Sequence, residues 1–310
     1  MTDINLGELA VVSLRNRTGK LADNITNHNP VLKLMQTKGR VRTADGGREI
    51  IQEIEYAENG TVAWVSEFEQ LSTTPQDVFD ASTWDWKTLA GTIVMSGLEE
   101  VKNSGKERII NFLSAKIDNL EKSLANQLAE SLFSDGTGAK EIGGLRFLVK
   151  DDPTTSSVIG GINQSTYTWW RNHTETNTAT ASTIGGAMNT LWLECTRGVD
   201  KPDVIASDST YYSAFEASLQ ANQRFTNDSM AKLGFENIAY KSAPVVYDAN
   251  CPARMYFLNT DYLFLRPHQS QFEKLEKRNS FNQDAFTIPV VWYGNLTCSN
   301  RKLQGVIKPS

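Results

Sequence analysis

Histidine and cysteine are scarce: 310 residues hold three of each. Cys195, Cys251 and Cys298 lie far apart and no C-x-x-C pair occurs, which removes the ligands of a zinc ribbon and the dithiol of a thioredoxin-type site. An odd, unclustered set fits a reducing compartment. His28, His173 and His268 are equally scattered, in polar contexts that read as surface rather than as general bases or metal ligands. H-E-x-x-H, G-x-S-x-G, a Walker loop and an EF-hand loop are all missing. Gly136-Thr137-Gly138 does not extend to G-x-G-x-x-G, because Glu141 takes the last place. Asp151-Asp152 precede Pro153 and read as a loop, not as a catalytic carboxylate pair. No cofactor and no metal is expected, and enzyme chemistry has no visible residue set.

A basic excess is also missing. Thirty-one Lys and Arg stand against 36 Asp and Glu, a net charge of −5, which fits poorly with a dedicated nucleic-acid clamp. The longest uncharged stretch near helix-spanning length, residues 176–193, is rich in Thr, Ser, Asn and Gly, so no membrane span is expected. Met1–Asn5 show no basic segment leading to an apolar run, so no secretory leader is expected. What remains is ordinary globular composition, 40% hydrophobic and 22% charged. At roughly 100–200 residues per domain the length fits two domains or one elaborate one.

Charge is unevenly placed. Residues 1–48 carry eight basic groups and four acids; residues 49–80 carry eight acids and no Lys or Arg. An acidic stretch of this kind is either a solvated surface or a projection that meets a basic partner, since complementary charge sets register between partners. The first 35 residues are dense in Asn and Thr, show no sustained apolar period, and read as a poorly ordered arm that needs an outside surface.

Asn59-Gly60 stands between two β-rich runs, 49–57 and 61–68. Asn-Gly is the preferred two-residue hairpin turn, because both central residues take positive φ. A hairpin pairing Ile54 with Val65 and Tyr56 with Ala63 is therefore expected. An isolated two-stranded hairpin is marginal in water. With Ile50, Ile51, Ile54, Trp64 and Phe68 among eight acids, it packs either on its own domain or on a neighbour; its length and acidity favour the neighbour. Trp84-Asp85-Trp86 then places two indoles on one face of a strand running on through Leu89, Ile93 and Met95.

Ser104-Gly-Lys-Glu107 is a capping box. Apolar residues follow at 109, 113, 117, 120, 124, 128 and 132, a single helical stripe, and Ser134–Gly138 ends it with Gly136 free for a left-handed turn. From Leu145 the texture is mixed. A helix capped by Thr183 has Ile184, Met188, Leu191 and Cys195 on its apolar face; another carries Tyr211, Phe215 and Leu219. Strands are expected at 203–206, 245–247, 255–258, 262–265, 286–293 and 303–307. This order argues for a mixed sheet with helices on it.

The order of pieces resembles the major capsid proteins of tailed bacteriophages, the Hong Kong 97-type fold. The residues that carry it are Gly46-Gly47 leading to Ile50, Tyr56-x-x-Asn59, Phe79-x-Ala81-x-x-x-Asp85-Trp86, Glu100-x-x-Asn103-Ser-Gly105, Ser134–Gly138, Gly143-Gly-Leu145, Gly160-Gly-Ile162, Trp169-Trp-Arg-Asn172 and Asn259-Thr-Asp-Tyr262. The ordered set, covering roughly residues 30 to 307, carries the likeness. It implies an α+β capsid fold: an N-terminal arm (1–39), an extended β-hairpin or E-loop (40–96), a peripheral domain with a long spine helix (97–150 and 266–310) and an α/β axial domain (151–265).

It further implies hexamers and pentamers that build an icosahedral shell around double-stranded DNA without sequence-specific binding, assembled in a bacterial host cytoplasm as part of the virion. The expected assembly surface is Ile54, Tyr56, Asn59, Gly60, Trp64, Phe68, Trp84 and Trp86 in the E-loop, with Arg15, Arg17 and Lys20 in the arm. Portal, scaffold and decoration proteins are the implied partners. The scaffold is expected to be a separate chain, because the E-loop begins too early for a built-in one. Some relatives lace subunits with Lys–Asn bonds from the E-loop; residues 49–80 hold no lysine, so none is expected here. The competing readings are an encapsulin-like compartment shell of the same fold, a soluble α/β enzyme, and a tail-tube protein, against which the long helix argues.

Overall fold

The computed structural model describes residues 29–98, 106–219, 237–269, 278–279 and 283–310, with side chains of the long helix described from residue 116, except 118. The capping-box residue Ser104 and the arm residues Arg15, Arg17 and Lys20 lie outside them.

Asn29 caps the first helix. Its Oδ1 accepts the backbone N–H groups of Val31 and Leu32, and Pro30 in the first turn has no N–H to lose. Helix α1 runs Pro30–Thr37 and buries Val31, Leu32 and Met35 in the main core. The expected disordered arm is thus corrected at its C-terminal end. The spacing i, i+1, i+4 makes one apolar face, and buried Asn29 also donates to Asp248 Oδ2 at 2.7 Å, fixing the helix to the body.

The projecting ribbon pairs differently from the expectation. Strand β1 (Ile50–Glu55) is antiparallel to β2 (Phe79–Trp84), with Ile50 opposite Trp84 and Ile54 opposite Asp80. Residues 61–68 form no strand, and Asn59-Gly60 is not a two-residue hairpin turn. Asn59 Oδ1 instead accepts the Thr61 N–H and hydroxyl, the local bonding that asparagine offers in loops. The register follows burial: Ile50, Ile54, Ser82 and Trp84 all lie buried, whereas Val62, Trp64 and Phe68 find nothing to cover them. The tight hairpin sits at Gly160-Gly161 instead, with φ of 60° and 78°, joining β4 (Val158–Ile159) to β5 (Ile162–Asn163). A side chain at Gly160 would strike the Trp84 ring at 2.8 Å, so glycine there lets the hairpin lock the base of the ribbon.

The strand expected to run on from Trp84 breaks at Asp85-Trp86 and restarts as β3 (Lys87–Ser96). Buried Asn295 holds the break, donating to Asp85 O (2.8 Å) and accepting from Gly143 N. β3 pairs along its whole length with β13 (Ala285–Cys298), which also pairs with β11 (Leu263–Pro267) and β12 (Arg278–Asn279). Helix α2 (Lys106–Ser131) lies on this sheet, about 39 Å long at 1.5 Å per residue. Its stripe is as expected where described: Ile117, Leu124 and Leu128 are buried, as is Leu132 just beyond the end. Gly136 follows with φ 70°.

The other sheet has six strands in the order β6 (His173–Thr176), β14 (Gly305–Lys308), β10 (Met255–Leu258), β7 (Val204–Ser207), β9 (Ala243–Tyr247) and β8 (Asn237–Tyr240). Helices α4 (Ile184–Glu194) and α5 (Ser209–Ser218) cover one face, a one-turn helix, α3 (Leu145–Leu148), having come before them. Alternation divides each strand: Ile205, Val245, Met255, Phe257 and Ile307 join the helices' cluster, while Ala206, Val246, Tyr256, Leu258 and Val306 join the main core. Thr183 precedes α4, but its hydroxyl bonds Asn177 Oδ1 rather than a helix N–H. The expected boundary at 265/266 sets the C-terminal strand with the peripheral elements. In the structure β14 lies between β6 and β10 and is hydrogen-bonded to both.

Arg301 joins these parts. It is fully buried, faces no carboxylate and lies 5.7 Å from the Trp170 ring centroid. Its Nε donates to Leu148 O (2.6 Å), its Nη1 to Trp170 O (2.8 Å), and its Nη2 to Gln164 Oε1 and Asn172 Oδ1. Burial pulls its pKa down to about 10. Asn172 in turn bridges Lys150 and His173 backbone, so one guanidinium organises the loops between α3 and β6.

Candidate assembly surface

The eight E-loop residues expected to act together fall into three groups. Ile54 and Trp84 are buried in the paired strands, 6% and 3% exposed, and belong to the main core of their own subunit. Tyr56 and Trp86 are half-buried links. Tyr56 donates to Asp77 O at 2.8 Å and stacks on Trp169 with centroids 4.8 Å apart, closing the outer end of the ribbon on the body. Trp86 donates to Gly47 O at 3.0 Å and meets His268 edge-on. Gly46 and Gly47, with φ of 114° and 106°, form the turn that makes that carbonyl reachable.

Asn59, Gly60, Trp64 and Phe68 alone remain on the outer loop, where every residue from 62 to 77 is exposed. Trp64 is 103% exposed and Phe68 97%. Val62, Val65 and Leu71 are exposed on the same loop, and Phe79 at its end; sequence reasoning missed Leu71 and Phe79 as part of this surface. The signal was the alternation of 79–84 across from 50–55, which places Phe79 outward once that register is known. Seven of the eight acids (all but the half-buried Glu49) are exposed, and among the described residues none of Glu53, Glu55, Glu58, Glu67, Asp77 or Asp80 has an ion-pair partner. The surface is thus apolar side chains set among unpaired carboxylates. Single exposed apolar residues are normal on proteins, but five on one loop, Val62, Trp64, Val65, Phe68 and Leu71, point to an interaction site.

The histidines do not gather. His173 is half-buried rather than on the surface, with Nδ1 3.5 Å from Glu194 Oε2; burial lowers its pKa, the nearby Glu194 working against that. His268 packs on Trp86, and His28 lies outside the described residues. Asp151, set aside as a catalytic acid, is held by both arms of Arg254 at 2.6–2.7 Å. Among the described residues no group of His, Cys, Asp and Glu is placed to hold a metal ion, and no helix is long and apolar enough to cross a membrane.

By sequence the chain matches no protein-family model and no curated protein. By structure it is similar to a capsid chain of cyanophage A-1(L), with 19% identity, 87% of this chain and 89% of that one covered, and a TM-score of 0.66. It is similar to the capsid chain of an empty GTA particle (13% identity, 88% and 89% covered, TM-score 0.62). It is also similar to a chain of the satellite phage P4 procapsid that includes the size determination (Sid) protein (10%, 94% and 91% covered, TM-score 0.54). Likeness over nine-tenths of both chains at so low an identity shows a common fold: the chain has the α+β fold of phage capsid subunits.

Proposed function

We propose that this chain is the major shell subunit of a tailed bacteriophage, assembling as hexamers and pentamers into a closed icosahedral container for double-stranded DNA in the virion. One observation carries the reading: a chain with a phage-capsid fold holds out a loop whose Trp64 and Phe68 touch nothing of their own subunit. Such a loop gains burial only against other copies, and closed point symmetry repeats one set of contacts around a shell. The net charge of −5 suits a container that encloses DNA without gripping it, since tight binding needs clustered Lys and Arg. A separate scaffold, a portal and decoration proteins are the partners this role calls for. The arm (1–39), E-loop (40–96), peripheral part (97–150 and 266–310) and axial part (151–265) are the working division, with β14 shared between the last two.

The test is to replace residues 58–76 by a short Gly-Ser linker, which keeps Tyr56 and Asp77. The expected product is a folded subunit with unchanged thermal unfolding that forms no shells by electron microscopy. Regular shells of normal size from this variant would overturn the reading.

A further inference from the structure

Three arginines converge on one phenyl ring. The extended segment after α1 runs parallel to β11: Arg42 N donates to Leu265 O, Leu265 N to Arg40 O, and Ala44 N to Pro267 O. Side chains alternate along each run, so Arg40 and Arg42 share a face, as do Phe264 and Arg266. Their guanidinium carbons lie 5.8, 5.1 and 5.3 Å from the Phe264 centroid. Among the described residues one carboxylate answers them, Asp261, 2.7 Å from Arg40 Nη2. Arg266 Nη2 donates to the neutral Gln52 Oε1, and the Nε atoms of Arg40 and Arg266 are buried without an acceptor among those residues. Arg42 is exposed and pairs with no described carboxylate. Burial, with Arg42 alongside, lowers the pKa of Arg266, as expected where like charges crowd.

Arg266 also lines an open cleft of about 620 Å³ at the root of the ribbon, together with Gly46, Gly47, Arg48, Ile50 and Ile51. Ile51 is 62% exposed; Arg48 is almost fully exposed, with its neighbour Glu49 at 3.8 Å. Glu49 lines the cleft too, but the two arginines outnumber it, and with the uncovered isoleucine they fit a segment that carries both carboxylates and aromatic rings. This chain has one: Trp64-Val-Ser-Glu67-Phe68-Glu69, inside the stretch of eight acids without a single Lys or Arg. It does not occupy its own cleft: Trp64 and Phe68 are 103% and 97% exposed, and none of residues 64–69 lines that cleft.

We propose that the cleft at the ribbon root is a socket for residues 64–69 of a second copy, with Arg48 and Arg266 receiving the carboxylates and Ile51 receiving an aromatic ring. The proposal rests on the shell reading and names the partner surface that the exposed loop meets. The experiment is a charge swap in the full chain: Arg48→Glu, Glu67→Arg, and the two together, each assayed for the protein concentration at which particles appear. Each single change is expected to raise that concentration about two- to five-fold per contact. The effect should fade as salt rises, and the double variant should return close to the unaltered chain. Single variants that assemble normally, or a double variant no better than the singles, would overturn the socket and leave the shell reading standing. So would Arg48→Glu particles that assemble normally but lose packaged DNA, which would make the cleft a phosphate site. An unaltered chain that forms no higher assembly of any kind, neither shells nor the sheets or tubes expected without a scaffold, would bring down the shell reading and the socket with it.

Discussion

Arg301 and Trp64 are both large side chains in loops, and they mark opposite ends of how this subunit spends its contacts. Arg301 is fully buried and places its donors on two backbone carbonyls and two side-chain amides. Trp64 is fully exposed and no contact to it is formed within the subunit. The first region is closed: its polar groups are satisfied within one chain, as burial demands. The second is open: apolar rings and unpaired carboxylates face outward, which a lone molecule has no reason to keep. The difference separates residues that hold the subunit together from residues that its own fold leaves unused.

The sharpest way to break that separation is at Arg301. Arg301→Ala leaves the Leu148 and Trp170 carbonyls without their donor, at about 1–3 kcal/mol each, and adds a cavity. A total loss of about 3–5 kcal/mol is expected, read by urea denaturation of the isolated subunit. Arg301→Lys should recover only part of this, because one ammonium cannot reproduce a planar fork on four acceptors. A loss below about 1 kcal/mol for the alanine variant would show that the joint is held elsewhere.

A smaller effect is expected at the Asp151–Arg254 pair, which ties the loop after α3 to the loop before β10. Burial raises the Asp151 pKa, but the two hydrogen bonds from Arg254 and its charge outweigh that, so the carboxyl titrates below its ordinary 3.8. Its stabilising contribution is therefore present above the ordinary carboxylate pKa and disappears as pH falls through the lower folded value. Asp151→Asn is expected to cost about 1 kcal/mol at neutral pH, a figure discounted because the pair is partly solvated. The gap between the variant and the unaltered subunit should close on acidification below about pH 4. A gap that stays constant down to pH 2 would assign the cost to packing instead.

These two sites also show what could be read in advance. The stripe of α2, the apolar face of α4 and four strands of the six-stranded sheet, β7, β9, β10 and β14, follow local patterns that a sequence displays directly, whereas the edge strands β6 and β8 were not expected. The ribbon's register does not. Asn59-Gly60 and the β-rich run after it are a sound local signal, yet β1 pairs with residues 79–84 because Trp84 has a pocket to fill against Gly160. That choice is made by residues some 75 positions further along. Arg301 is less legible still: it sits between Asn300 and Lys302 in a polar loop, and its acceptors lie 129–153 positions away. In the candidate surface, Trp64 and Phe68 were legible from their acidic surroundings. Ile54 and Trp84 were grouped with them because composition cannot tell the root of a ribbon from its outer loop.

The two indoles of that ribbon make the comparison smallest in folding and most informative. Trp84 is 3% exposed, donates Nε1–H to Ser82 Oγ at 3.0 Å, and belongs to the main core; truncating such a residue costs about 3–5 kcal/mol of folding stability. Trp64 makes no such contact, so Trp64→Ser should change the isolated subunit's stability by less than about 0.5 kcal/mol. If the exposed ring anchors a neighbouring copy, the same substitution removes an interface tryptophan, a type that commonly contributes about 2 kcal/mol or more. That corresponds to roughly a thirty-fold rise in the protein concentration needed for particles. The pair of measurements must diverge. A Trp64→Ser subunit that unfolds early would mean the loop packs on its own body, and one that both folds and assembles normally would mean the ring is mere surface.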